Sequence, residues 1–206
     1  MKNTLTTVTK MKRKLLLITL IALIFALKNY EMSRSVIINA PIDVVWEYAS
    51  DSSKAKEWSV FFDHISPLPG IEDGKVGSVR RCYRFQDETG PTWDEKIIKV
   101  TPLKFRELRT YHLKNFKDTN FHKSEFKVYQ RYESISPLKS RLTFSSKMLN
   151  PFNLILAIQL LPLASETSRI FQANLQNIKS AIEARYKGVE YHRPHPFEPY
   201  NPISDI

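Results

Sequence analysis

SRSVIINAPIDVVWEYASDSSKAKEW, residues 33–58, decides the fold. Its first part, through Asn39, is rich in β-branched side chains and reads as a strand. Ala40-Pro41 ends that strand, because proline brings no ladder donor and a fixed φ. Pro41 and Asp43 then suit the first turn of a helix, and Val44, Val45 and Tyr48, with Trp46, give it an apolar side. Asp51-Ser52-Ser53 has the residue types of a cap for a second short helix ending at Trp58. One strand followed by two short helices is an unusual beginning, and the remainder of the chain has to be compatible with it.

From Phe61 onward the helical period gives way to extended segments punctuated by Pro67, Pro69-Gly70, Asp73-Gly74, Gly77 and Glu88-Thr89-Gly90-Pro91. Strands are predicted near 61–67, 76–86, 92–100, 104–113, 122–135 and 139–149, with the clearest hairpin signals at residues 87–91 and 136–139. Alternation puts Phe126, Val128, Gln130 and Tyr132 on one side of their strand, and Leu142, Phe144, Ser146 and Met148 on one side of the next. Lys127, Arg131, Glu133, Arg141 and Lys147 fall on the opposite side, so one face of the sheet is wet and the other covered.

Asn150-Pro151 predicts a helix start. Phe171, Leu175, Ile178 and Ile182 recur at helical spacing, the stripe of an amphipathic helix packed on a sheet. The segment 152–163 differs: apart from Asn153 and Gln159 it is apolar all round, which implies burial or lipid contact, and Pro162 is expected to kink or break it. Residues 188–206 carry Pro194, Pro196, Pro199 and Pro202 without a period and read as an extended surface tail or a disordered one. The chain therefore divides into residues 1–32, a folded domain over 33–187, and the tail 188–206.

The net charge is +10, and residues 1–32 contribute six Lys or Arg against one Glu, so the folded part is only mildly basic. No nucleic-acid reading motif accompanies the charge, and nucleic acid is not an expected partner. Cys82 is the one cysteine, which excludes an intramolecular disulfide and a thiolate cluster. Lys10, Lys12, Arg13 and Lys14 precede the apolar run 15–27, in which Thr19 alone is polar. At about 1.5 Å per residue the run spans roughly 20 Å, the length of a signal-peptide core. Yet no Ala-x-Ala-like site follows, and Lys14, Lys28 and Tyr30 extend its effective reach, so an uncleaved membrane anchor is expected, with a signal segment as the alternative. The charge excess before the run places the domain on the non-cytoplasmic side. A cytosolic domain translated from Met32 is the remaining reading.

The order of strand, two short helices, six strands and one long helix resembles the START-like, or SRPBCC, superfamily of the polyketide cyclase/dehydrase kind. Ile38-Asn39-Ala40-Pro41 with Val45-Trp46, Asp51 and Trp58 is similar to that family's opening. Val76-Gly77 with Arg80-Arg81 resembles its third strand, and Glu95-Lys96-Ile97 with Pro102 the strand and turn after it. The resemblance implies an α+β helix-grip fold, a curved antiparallel sheet of about seven strands wrapped on a long C-terminal helix. It also implies a deep apolar cavity that takes a hydrophobic small molecule or lipid, and it does not by itself imply a reaction.

No metalloprotease, nucleophile-elbow, phosphate-loop or dinucleotide motif is present, and neither a metal nor a cofactor is called for. The catalytic candidates are Glu95, Arg81 and Tyr83, on the presumed inner face. A carboxylate in an apolar pocket has its pKa raised, which would fit Glu95 for enolisation or dehydration; a structural ion pair or an outward-facing pair is the alternative. Trp58, Tyr83, Phe85, Trp93, Gln130, Tyr132, Phe144, Ile155 and Phe171 are the expected cavity lining, though such aromatics equally build ordinary core. Cys82 reads as a packed thiol, and His192 and His195 as solvated side chains. The function expected is membrane-tethered binding of a hydrophobic molecule; the alternative is an aromatase/cyclase-like or dehydratase-like enzyme using the same cavity.

Overall fold

The computed structural model describes residues 31–116, 125–149 and 161–197, together with the single positions 12 and 19. Strand β1 (Met32–Ile38) leads into helix α1 (Ile42–Ser50), a 3-10 turn (Ser52–Lys54) and the one-turn helix α2 (Ala55–Trp58). Six strands follow: β2 (His64–Pro67), β3 (Val79–Tyr83), β4 (Thr92–Thr101), β5 (Phe105–Lys114), β6 (Phe126–Ser136) and β7 (Lys139–Met148). Helix α3 (Leu161–Lys187) comes last. The strands form a seven-stranded sheet in the order β1-β7-β6-β5-β4-β3-β2, and every pairing is antiparallel. This is the helix-grip arrangement.

Local chemistry accounts for each join. Pro41 caps α1 through its carbonyl, which accepts from Val45 N at 3.2 Å, and Asp51 Oδ1 accepts from Ser53 N at 2.9 Å to start the 3-10 turn. Ser136 pairs with Lys139, so Pro137 and Leu138 make the β6–β7 turn. Gly90, at φ +75°, lies so close to the Phe85 ring that a Cβ there would stand 2.7 Å from it. Register shifts in β4 between Thr92 and Asp94 and between Ile97 and Lys99 supply the extra twist that bends a sheet.

The concave face carries Val36, Ile38, Trp93, Leu142 and Phe144, and α3 lays Leu175, Ile178 and Ile182 into the same core. Each of these three helix residues is at most 1% exposed, which fixes α3 on the sheet; burial of such a side chain is worth about 1.5–3 kcal/mol. Phe171, the first member of the stripe, is half-buried against that core. Pro162 is the second described residue of α3, and the residues before it, on which the expected kink or break bears, lie outside the described residues. The outer face is wet, with Arg131, Arg141 and Lys127 paired to Glu31, Glu133 and Glu107.

After α3 the chain doubles back. Asn177, fully buried, takes the backbone of His195 by both ends of its amide, accepting from His195 N at 2.9 Å and donating to His195 O at 2.8 Å. Its Nδ2 also donates to Trp58 O at 3.0 Å, and Arg193 donates to the carbonyls of Ser59 and Lys56. The side chains of His192 and His195 are exposed. Among the described residues no helix is long and apolar enough to cross a membrane. The apolar run 15–27 apart from Thr19, the segment 150–160 with its expected helix start and Ile155, and the tail beyond 197 lie outside the described residues.

Candidate functional site

An aromatic chain lines the concave side. Phe171 meets Phe144 at 5.9 Å between ring centroids, Phe144 meets Trp58 at 6.3 Å, Trp58 meets Phe62 at 5.5 Å, and Phe62 meets Trp93 at 5.7 Å. Most are edge-to-face contacts, the geometry the ring quadrupoles favour. Trp46 and Tyr132 add a further edge contact at 4.8 Å under α1. Of the lining expected from sequence, the structure brings together Trp58, Trp93, Gln130, Tyr132, Phe144 and Phe171.

Polar groups are sunk into this surface. Arg80 donates through Nε and Nη2 to Glu95 Oε2 at 3.0 and 2.9 Å, and through Nη1 to Ser52 Oγ at 2.8 Å. Burial opposes the Arg80 cation, but the Glu95 carboxylate beside it more than offsets that, and its pKa is raised. Arg106, 1% exposed, donates from Nη1 to Ser50 O at 3.2 Å and to Gln130 Oε1 at 3.3 Å. Gln130 Oε1 also accepts from the Tyr132 hydroxyl at 3.2 Å, and burial pushes the Tyr132 pKa up to about 12. Cys82, fully buried between Arg80 and Trp93 in the ladder, has its thiol pushed well up by burial and by Glu95, which makes it packing rather than a nucleophile.

Two expected positions are corrected. Arg81 and Tyr83 lie on the outer face of β3, because Arg80 and Cys82 are the buried members of its alternation. Arg81 donates from Nε to Asp94 Oδ1 at 2.7 Å, with His112 Nδ1 3.2 Å from the other carboxylate oxygen. Tyr83 stacks on His64 at 4.8 Å. Phe85 sits beyond the end of β3, against Gly90 in the turn, rather than on the concave side. Glu95 does face inward with Trp93 and Ile97, but its partner is Arg80 and not Arg81 or Tyr83, so the three catalytic candidates do not converge. Strand β3 misleads because its inner register carries the Arg80 guanidinium while its outer register carries Val79 and Tyr83, inverting the polarity that alternation usually reports.

Sequence reading named Arg80 only within the family resemblance, not as a site residue, and passed over Arg106. The signal that finds them is register: with Trp93, Glu95 and Ile97 inward on β4, the antiparallel partners of Glu95 are Arg80 and Thr110, and Arg106 shares its side of β5 with Leu108 and Thr110. A separate groove of about 420 Å³ lies between β1 and the first turns of α3, lined by Arg34, Ser165, Ser168, Arg169, Gln172, Ala173 and His195. All of these residues except Ala173 have polar side chains.

A family model described as polyketide cyclase/dehydrase and lipid transport matches residues 30–183. No curated protein matches the sequence. Among solved structures, the chain is similar to the Zhui aromatase/cyclase from Streptomyces sp. R1128 at TM-score 0.58 and 15% identity, covering 78% of this chain and 99% of that one. It is similar to DynU16, a protein of the dynemicin biosynthetic locus, at TM-score 0.54 and 16% identity over 77% of this chain; the match spans 48% of DynU16, about half its length. It is also similar to the Aha1 dimer from Colwellia psychrerythraea at TM-score 0.51 and 17% identity, covering 75% and 96% of the two chains. At these identities the likeness concerns the fold.

Proposed function

The chain belongs to the polyketide cyclase/dehydrase and lipid transport family, and from that premise we propose that it holds a hydrophobic small molecule or lipid against its concave face without transforming it. The observation that carries this reading is the aromatic chain from Phe171 through Phe144 and Trp58 to Trp93, with the inward carboxylate of Glu95 engaged by Arg80. A cyclisation or dehydration needs an acid or base free to meet the substrate. Glu95 Oε2 accepts two bonds from a 5%-exposed guanidinium, and the other catalytic candidates point outward.

Residues 15–27 serve, in this reading, as a membrane anchor that leaves the domain on the non-cytoplasmic side, close to a source of apolar ligand. The sequence pattern of basic residues followed by an apolar run supports it. Mass spectrometry of the full chain after mild detergent extraction tests the function: an apolar compound retained in near-stoichiometric amount is the expected result. A chain that retains nothing and fails to bind a fluorescent apolar probe sinks the reading. Alkaline carbonate washing of membranes tests the anchor, which predicts that the full chain stays in the pellet and that a chain beginning at Met32 does not.

A further inference from the structure

The concave interior contains more buried positive charge than it neutralises. Arg80 and Arg106 are 5% and 1% exposed, and Glu95 is engaged by Arg80. Arg106 meets neutral oxygens, the Ser50 carbonyl and the Gln130 amide at the long end of hydrogen-bond range and the Tyr132 hydroxyl beside them. Its Nη2 is buried with no protein acceptor. Burial and the neighbouring Arg80 charge press the Arg106 pKa down by more than Tyr132 and Glu95, already engaged by Arg80, raise it. A buried, unpaired guanidinium N–H is costly, and a guest oxygen that meets it recovers that cost.

Arg106 also lies next to the aromatic chain. Gln130 is the register partner of Arg106 on one side and of Phe144 on the other, so the guanidinium lies across one strand from the aromatic chain. Trp58, whose ring packs on Phe144, has its own buried Nε1–H without a protein acceptor. Two unmatched donors flanking one aromatic surface call for a ligand that brings acceptors on an otherwise apolar body.

We infer that Arg106 is the polar anchor of the concave site and that the ligand is an apolar acid, its ionised carboxylate received by Arg106 Nη2 and its hydrocarbon body lying along Trp58, Phe144 and Phe171. This rests on the reading of the domain as a binder of hydrophobic molecules and narrows its ligand class. Displacement of Nile red from the full chain by palmitate and by hexadecanol, which share a chain length and differ in the head group, tests it. Palmitate is expected to compete about ten-fold better, the size of one charge-assisted hydrogen bond. Arg106→Gln closes that gap and leaves hexadecanol unchanged, while Arg34→Gln, in the polar groove, leaves the gap intact.

A second measurement needs no variant: the carboxyl ¹³C signal of bound palmitate titrates below the ordinary carboxylate range if a guanidinium holds it. Equal competition by the two probes with an ordinary carboxyl titration overturns the inference and leaves apolar binding standing. A gap closed by Arg34→Gln instead of Arg106→Gln overturns it by moving the acid to the groove. A chain that binds neither Nile red nor either competitor removes the function and the inference together.

Discussion

Arg80–Glu95 and Arg81–Asp94 are neighbouring rungs of one ladder between β3 and β4, and they face opposite ways. The chemistry is the same, a guanidinium on a carboxylate, and the surroundings differ. The Arg80 side chain is 7% exposed and that of Glu95 13%, whereas Arg81 is 30% exposed and holds Asp94 from the solvent side with help from His112. Asp94 itself is 4% exposed, so a single step in register moves the guanidinium from the solvent side to the interior, where loss of either partner strands a charge among aromatic rings. The inner pair specifies the site; the outer pair trims the surface.

Truncating Glu95 to Ala is expected to produce the largest effect, about 3–5 kcal/mol of stability by denaturant titration, because Arg80 and Arg106 then share the interior with no carboxylate beside them. Replacing the pair together, Arg80→Met with Glu95→Leu, should cost far less than Glu95→Ala alone; a double variant as unstable as the single one would refute the assignment of the penalty to a stranded charge. Arg81→Ala, on the outer rung, should cost less, about 1.5–3 kcal/mol, since His112 remains to the buried Asp94. If it matched Glu95→Ala, the distinction between the two faces would fail.

Acid sharpens the contrast further. Burial raises the Asp94 pKa, but the bonds from Arg81 and His112 outweigh it and hold the carboxyl below its usual value. Its contribution is therefore complete above the unfolded value of about 3.9 and is lost as pH falls toward the folded one, because the unfolded chain takes the proton first. Denaturation midpoints should drop as pH falls from about 4 to about 3, and Asp94→Asn should remove that part of the drop. The smallest effect belongs to the exposed pair Arg141–Glu133, where Arg141→Ala should change stability by less than about 0.5 kcal/mol.

The comparison also explains what the sequence made legible. Strands β6 and β7 alternate cleanly because one face meets core and the other water, so Gln130, Tyr132, Leu142 and Phe144 could be assigned by parity. The α3 stripe was readable for the same reason: Leu175, Ile178 and Ile182 bury against one surface. Strand β3 was not, because Arg80 points inward and a five-residue strand has too few positions for its apolar count to outvote two arginines. Arg106 was hidden by its residue type, since a guanidinium is seldom fully buried and single-strand patterning offers no partner for it. Only pairing, a property of two strands, reveals such residues.

The amide of Asn177, gripping the returning chain at His195 and the carbonyl of Trp58 at once, acts as a clasp that closes the polypeptide into a loop. Whatever sets the breathing rate of that clasp also sets how freely the Trp58 ring swings away from Phe144. The returning segment at His195 is thereby coupled to the exchange kinetics of any guest inside.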